Sequence, residues 1–333
     1  MGLPSHPDPS SAPGQLVSWK QIRSVDLETL DPEIIDLEML SEFVNFLNPT
    51  LAIHFPIHFI LANCMNDSHG SEDAIQATNR RAYDRMASHD HFLTTPVSAE
   101  ELAKPMEILD GRGWLGGNIR GWRVLCLAGG GGRQGPLYAA AGAEVTVLDI
   151  SSAMLERDRW MAHRLGLNLR ILQGSMLVLD ALANGEFDLV AHPVSTCYVA
   201  SVQPVFDEVA RVLRPGGLYI SQHKQPINLQ TSLHKVAGHY ILETPVGHPA
   251  IPVAQGENSF LREPHTIEIA HSLDAILGGI CRAGMSIEEF SEPDHTQPDA
   301  APNTMAHRSQ YVPPYVRIKA RKRSSTSSKS LIL

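Results

Sequence analysis

The sequence predicts an α/β fold built on a mostly parallel sheet with helices on both faces. Three observations predict it. Between about residues 120 and 223, short apolar runs alternate with amphipathic segments of helical period, which is the signature of strands joined by covering helices. The first apolar run ends in four consecutive glycines, Gly129 to Gly132, and the second ends in Asp149. A later helical segment closes on Leu213-Arg214-Pro215-Gly216-Gly217 and leads directly into another apolar run.

The elements follow in order. Residues 123–128, RVLCLA, read as a first strand. The next segment, 133–142, reads as a helix: Pro136 falls in its first turn, where a missing N–H costs little, and Gly142 ends it. Residues 143–150 form a second strand. A helix over 151–166 carries a serine N-cap and a terminal glycine. Segments 167–174 and 186–193 give strands three and four. In 203–217, Val205, Phe206, Val209, Val212 and Leu213 share one helical face until Pro215 and Gly216 stop the helix. Residues 218–222, LYISQ, make a fifth strand. The rhythm then breaks at 224–264, a long, polar, proline-marked stretch of the kind that usually serves function. Beyond it, 265–271 reads as a strand, 272–284 as a helix, 285–292 as a strand and 310–322 as the last strand.

The ends differ from this body. Residues 1–74 read as an N-terminal extension, with a Pro/Ser/Gly-rich start, a helical pattern over 32–48 and a polar linker opened by Met65. Its first 64 residues are either an accessory segment or lie upstream of a natural start at Met65. The apolar stretch 51–64 is too short to span a bilayer and contains Pro56. His54 and His58 have helical metal spacing but no third ligand. The main domain is placed at 75–322, and the Ser-rich segment 323–333 reads as a disordered tail.

Bulk composition narrows the function. The 333 residues are 43% hydrophobic and 19% charged, as in ordinary globular proteins. A net charge of -9 argues against a nucleic-acid partner, which calls for a basic face. The four cysteines, Cys64, Cys126, Cys197 and Cys281, are widely spaced and form neither a zinc motif nor a disulfide framework. No metal, no membrane and a cytoplasmic location are expected; the oligomeric state is not legible.

Two ligands compete for the glycine loop. Gly130, Gly132 and Gly135 satisfy G-x-G-x-x-G, and Asp149 follows Gly130 by 19 residues, as in dinucleotide-binding sites. No Walker lysine and serine follow, which removes a P-loop. The order of all the segments points elsewhere. The chain resembles the class I S-adenosylmethionine (SAM) dependent methyltransferases of the small-molecule type. Their first motif has the form acid-x-G-x-G-x-G; here Cys126 takes the acidic position, Ala128 the first glycine, and Gly130 and Gly132 the second and third. The resemblance continues through Asp149, through Gln173 to Met176 and through Arg211 to Ile220, and is strongest over 122–222.

The resemblance implies a Rossmann-like, seven-stranded, mostly parallel sheet whose last strand is antiparallel. It also implies SAM as cofactor, held by Ala128, Gly129, Gly130, Gly131, Gly132, Gln134, Asp149, Ile150, Ser175, Met176 and His192. Asp149 suits the ribose because two carboxylate oxygens face two hydroxyls. Met176 suits the adenine face. Cys126 and Ser175 stand where the family commonly has acids, so modest cofactor affinity is expected. The acceptor is expected to be a small molecule, bordered by 224–264 and by the helix carrying Tyr83, which closes over the cofactor as a lid. His192 and His223, just after strands four and five, are the candidate bases. Two other readings stay open: a catalytically silent SAM-binding or interaction protein, and an NAD(P)-dependent oxidoreductase.

Overall fold

The computed structural model describes residues 72–250 and 262–324. The chain separates into two units, 1–61 and 62–333, and every described residue belongs to the second. The expected helix at 32–48, the pair His54 and His58, Met65 and the tail from 325 onward lie outside the described residues.

Five strands run parallel: β1 (Arg123–Leu127), β2 (Glu144–Asp149), β3 (Leu169–Gln173), β4 (Phe187–His192) and β5 (Leu213–Lys224). A two-stranded pair, β6 (Pro249–Ala250) with β7 (Glu268–Ile269), stands apart from them. The main sheet is completed by β8 (Met285–Ser291) and β9 (Tyr315–Lys322), giving seven strands in the order β3-β2-β1-β4-β5-β9-β8. β9 is antiparallel to both its neighbours, as expected for the last strand.

The helices are α1 (Glu72–Ser88), α2 (Ala99–Ala103), α3 (Pro105–Leu109), α4 (Gln134–Ala140), α5 (Ser152–Leu165), α6 (Gln203–Val212), α7 (Pro226–Gln230), α8 (Gly279–Arg282) and α9 (Met305–Arg308). The central strands bury both faces, which is why their sequences read as continuous apolar runs. On one face Leu125, Leu127, Val190 and Tyr219 pack with Val205, Phe206 and Val209 of α6. On the other, Val124, Cys126, Val147 and Leu189 pack with Tyr138 of α4 and Leu155 of α5. Ser151 caps α5 by accepting from the Met154 N–H, and Gly166 ends it at φ +63°, both as the sequence predicts.

Two segments differ from expectation. The helix before the Pro-Gly-Gly sequence stops at Val212, and Leu213 to Gly217 already belong to β5. Leu213 pairs with Phe187, the ladder shifts register before Leu189, and Gly216 turns at φ +76°. The turn is thus a bulge inside the strand rather than a loop in front of it. Second, the strand expected over 265–271 shrinks to two residues of β7 and does not join the main sheet. The segment 272–284 opens with a π-helical turn at Asp274–Gly278 before α8. A Cβ on Gly279 would sit 2.8 Å from the Phe206 ring, so glycine lets this helix lie directly on α6.

Candidate active site

A cleft opens beyond the carboxyl ends of β1, β2 and β4. Each wall comes from a different element. Ala128 follows β1, and Leu148, Asp149 and Ile150 end β2. Gly174, Ser175 and Met176 follow β3; Val194, Ser195, Tyr198 and Val199 follow β4. Gln76, Asn79 and Tyr83 of α1 cover it. This is where ligands bind in open parallel sheets.

Of the residues expected around a cofactor, Ala128, Asp149, Ile150, Ser175 and Met176 border this cleft. Gly129 to Gly132 do not line it. They bring the loop close to its surroundings: a Cβ on Gly130 would lie 2.9 Å from Met154 Cβ, and one on Gly132 would lie 3.0 Å from the Arg157 carbonyl oxygen. Gly131 and Gly132 also take φ of +112° and +72°, which glycine adopts without steric cost. The glycines therefore seat the loop on α5, which sets the position of Ala128 at the cleft.

Asp149 holds that geometry with both oxygens. Oδ2 accepts from the Gly130 N–H at 2.9 Å and Oδ1 accepts from the Ser151 N–H at 2.9 Å. Burial raises its carboxyl pKa against the opposing effect of these N–H groups. Asp84 of α1 accepts from Ser151 Oγ at 2.6 Å and from the Ala153 N–H at 3.2 Å, tying the covering helix to the start of α5. Asn79, also on α1, accepts from the Ile267 N–H at 2.7 Å and donates to the carbonyls of Ile267 and Tyr198. Asp84 and Asn79 were not among the residues singled out from sequence; their one signal is a polar residue on the inward face of a helix.

Beneath the glycine loop lies Asp158 of α5, fully buried. Burial pushes its carboxyl up to about 7, although the N–H groups of Gly132 and Gly131 favour the anion. Its folded value lies above the ordinary value of 3.8. Between about pH 4 and pH 7 the native state therefore binds the extra proton, and stability falls as pH rises through that window. Thermal unfolding from pH 4 to 8 is expected to show this decline in the native chain and a flatter profile in Asp158→Asn.

The expected catalytic residues separate. Tyr83 borders the cleft, and its hydroxyl lies 2.9 Å from that of Tyr198, the rings packed edge to face. His192 is buried and does not line this cleft; its Nδ1 meets the Tyr219 hydroxyl at 2.8 Å and its Nε2 meets Ser195 Oγ at 2.5 Å. His192 and Gln134 border a second cavity. His223 is fully buried between Thr196 Oγ1 and Ser221 Oγ, 2.8 Å from each. Burial holds both imidazoles neutral, each near pKa 3. With both ring nitrogens of each histidine occupied, neither has one free for an acceptor in the cleft.

Charges missed in the sequence lie behind Tyr198. Lys224, the last residue of β5, bonds to Glu263 and, at 2.8 Å, to Glu268; all three are buried. Burial pushes the Glu263 carboxyl up, but the Lys224 ammonium and the hydrogen bonds from Glu268, Lys224 and Tyr198 pull it further down, to about 2. Burial and the Glu263 charge raise Glu268 to about 7 in spite of Lys224. The cluster thus keeps one carboxylate ionised beside the phenol pair.

Comparison with known proteins agrees with this architecture. The family model of the methyltransferase domain matches residues 125–221. The methyltransferase YbaJ of Bacillus subtilis is 35% identical over 240 residues, covering 66% of this chain and 91% of YbaJ. A Mycobacterium tuberculosis protein is 32% identical over 152 residues, 45% of this chain and 52% of that relative, so the chain matches about half its length. Among solved structures, a SAM-dependent methyltransferase from Mesorhizobium loti superposes with a TM-score of 0.52 at 22% identity, covering 66% of this chain and all of that one. The fold is also that of 1,6-didemethyltoxoflavin-N1-methyltransferase from Burkholderia thailandensis (TM-score 0.50, 14% identity, 76% and 91% covered), solved with S-adenosylhomocysteine bound.

A Rossmann-like sheet with a glycine loop on its first strand, and an acid on the second that faces a cleft, defines an α/β protein of the kind that binds a nucleotide-like cofactor. The chain belongs to the class I SAM-dependent methyltransferases. The cleft fits that cofactor: an acid with two oxygens at the end of β2, an apolar Met176 beyond β3, and no basic residue of the kind a pyrophosphate would want among the lining side chains. Among the described residues, no group of three or more His, Cys, Asp or Glu side chains is placed to hold a metal ion, and no helix is long and apolar enough to cross a membrane.

Proposed function

We propose that the protein methylates a small organic molecule carrying an ionisable O–H or N–H, held between α1 and the segment after β4. The observation that carries this reading is the Tyr83–Tyr198 phenol pair at the cleft, with the buried Glu263 carboxylate behind it. A cleft roofed by α1 suits a small acceptor better than a polymer.

SAM, when bound, supplies an electrophilic methyl on a sulfonium that leaves readily. Ala128, Asp149, Ile150, Ser175 and Met176 would hold it, with the glycine loop fixing Ala128. The protein's remaining tasks are to orient the acceptor and exclude water. Tyr83 and Tyr198 are both held well above the ordinary phenol range, by burial first and by Glu263 second. They therefore stay protonated and position the acceptor: a phenol oxygen accepts a hydrogen bond from its O–H or N–H, and the proton leaves to solvent once the methyl is transferred.

The test is transfer of an isotopically labelled methyl from SAM into the small-molecule, protein and RNA fractions of a cell extract. Label confined to the small-molecule fraction supports the reading; label in protein or RNA contradicts it. SAM binding with no label anywhere favours the catalytically silent reading. With the acceptor in hand, Tyr198→Phe is expected to lower kcat by about 10²-fold, the scale of a misplaced acceptor, with SAM affinity unchanged.

A further inference from the structure

We infer that Asp158 supplies from α5 the carboxylate that the glycine-loop motif otherwise carries at the end of its first strand, and so is the positioning residue that holds the loop in its cofactor-binding shape. The motif's acidic position is Cys126 here, a buried thiol. Asp158 lies close enough to Cys126 to raise its thiol pKa, after the larger effect of burial.

The helical pattern makes an acid at 158 anomalous. Met154, Leu155, Asp158 and Met161 are the buried residues of α5, so position 158 lies on the apolar stripe facing the core. A carboxylate there is costly unless it is hydrogen-bonded. Its Oδ2 accepts from the Gly131 N–H at 2.8 Å, and the Gly132 N–H adds to the stabilisation of the anion. Gly131 and Gly132 both hold positive φ, and the Gly131 N–H is shared between Asp158 and the Met154 carbonyl oxygen, 3.1 Å away. Asp158 Oδ1 has no hydrogen-bond partner and lies 3.3 Å from where a Cβ on Gly135 would be, so α4 makes room for it with glycine.

The charged and titratable groups around Asp158 are Asp149 on β2, Cys126 on β1 and Arg159 on its own helix. Asp149 and Asp158 therefore grip the same loop from two sides, through Gly130 and Gly131 respectively. Asp149 also borders the cleft, whereas Asp158 acts only through the loop.

The inference rests on SAM being the cofactor, and the experiment separates the two. SAM and S-adenosylhomocysteine are titrated calorimetrically into the full chain, Asp158→Ala, Asp158→Asn, and Cys126→Asp combined with Asp158→Ala, with circular dichroism and melting as folding controls. Asp158→Ala is expected to weaken both ligands by about 10- to 100-fold, the scale of a lost charged hydrogen bond. Asp158→Asn, which keeps an acceptor oxygen, is expected to lose less. The double variant is expected to recover most of the native affinity, because it returns the acid to the first strand. A packing role alone would not give that rescue. Native affinity in folded Asp158→Ala, or a loss that Cys126→Asp does not restore, overturns the inference. If Asp158→Ala does not fold, Asp158→Asn with and without Cys126→Asp decides by the same criteria. Failure of the unaltered chain to bind either ligand refutes the cofactor assignment instead.

Discussion

Asp149→Ala is expected to bind SAM at least about 100-fold more weakly than the native protein, because two or more charge-assisted hydrogen bonds of about 1.5–3 kcal/mol each are lost. The carboxylate has three tasks. It borders the cleft, where on the proposed reading it takes the ribose hydroxyls. It holds the Gly130 N–H, and with it the approach of the loop to α5. It also accepts from Ser151, the residue that caps α5. Removing it leaves two backbone donors without an acceptor and opens space next to Met154. Asp149→Asn keeps one acceptor oxygen and is expected to lose about tenfold. Calorimetry with SAM, and with NADH as the competing ligand class, checks this. Affinity in Asp149→Ala within about threefold of native would show that the ligand does not use this acid.

Lys224→Met is expected to destabilise the fold by about 3–5 kcal/mol, the usual cost of removing one partner from a buried ion pair. Lys224 is the cation between Glu263 and Glu268, and its side chain is 1% exposed. Without it, one of two buried carboxylates must take a proton or stay charged in a poor dielectric. At about 2–4 °C per kcal/mol for a domain of this size, the melting temperature should fall by roughly 6–20 °C. Adding Glu268→Gln, which removes one of the stranded acids, is expected to restore part of the loss. Thermal unfolding at pH 7 checks both. A drop under about 1 kcal/mol would mean that the cluster contributes little and that Glu263 is not held ionised beside Tyr198.

The sheet was legible because parallel strands buried on both faces leave long apolar runs, and because the intervening helices carry their own stops, such as Ser151 and Gly166. The 265–271 segment misled for a physical reason. Thr266, Glu268 and Ala270 alternate with Ile267 and Ile269, a strand-like pattern in which the polar face is normally the solvent side. Here Glu268 is 2% exposed and paired with Lys224, so alternation alone could not tell which face was buried. Of the residues that the resemblance implied, Ala128, Asp149, Ile150, Ser175, Met176 and Tyr83 border the cleft. Asp158, Asp84, Asn79 and Glu263 were not legible, since each acts on a partner distant in sequence: Asp84 reaches Ser151, and Asn79 reaches Ile267. His192 and His223 were singled out for following strands four and five. A strand's last side chains point to alternate faces, and the His223 ring turns inward against Phe206, at 6.1 Å between ring centroids.

The most direct measurement is a crystal structure of the protein with S-adenosylhomocysteine. The expected result is ligand density in the cleft beneath α1, with the ribose hydroxyls on Asp149, the adenine against Met176 and the sulfur end toward Tyr83 and Tyr198. Density that avoids Asp149, or lies in the separate cavity beside His192 and Gln134, would contradict the assignment of this cleft as the cofactor site.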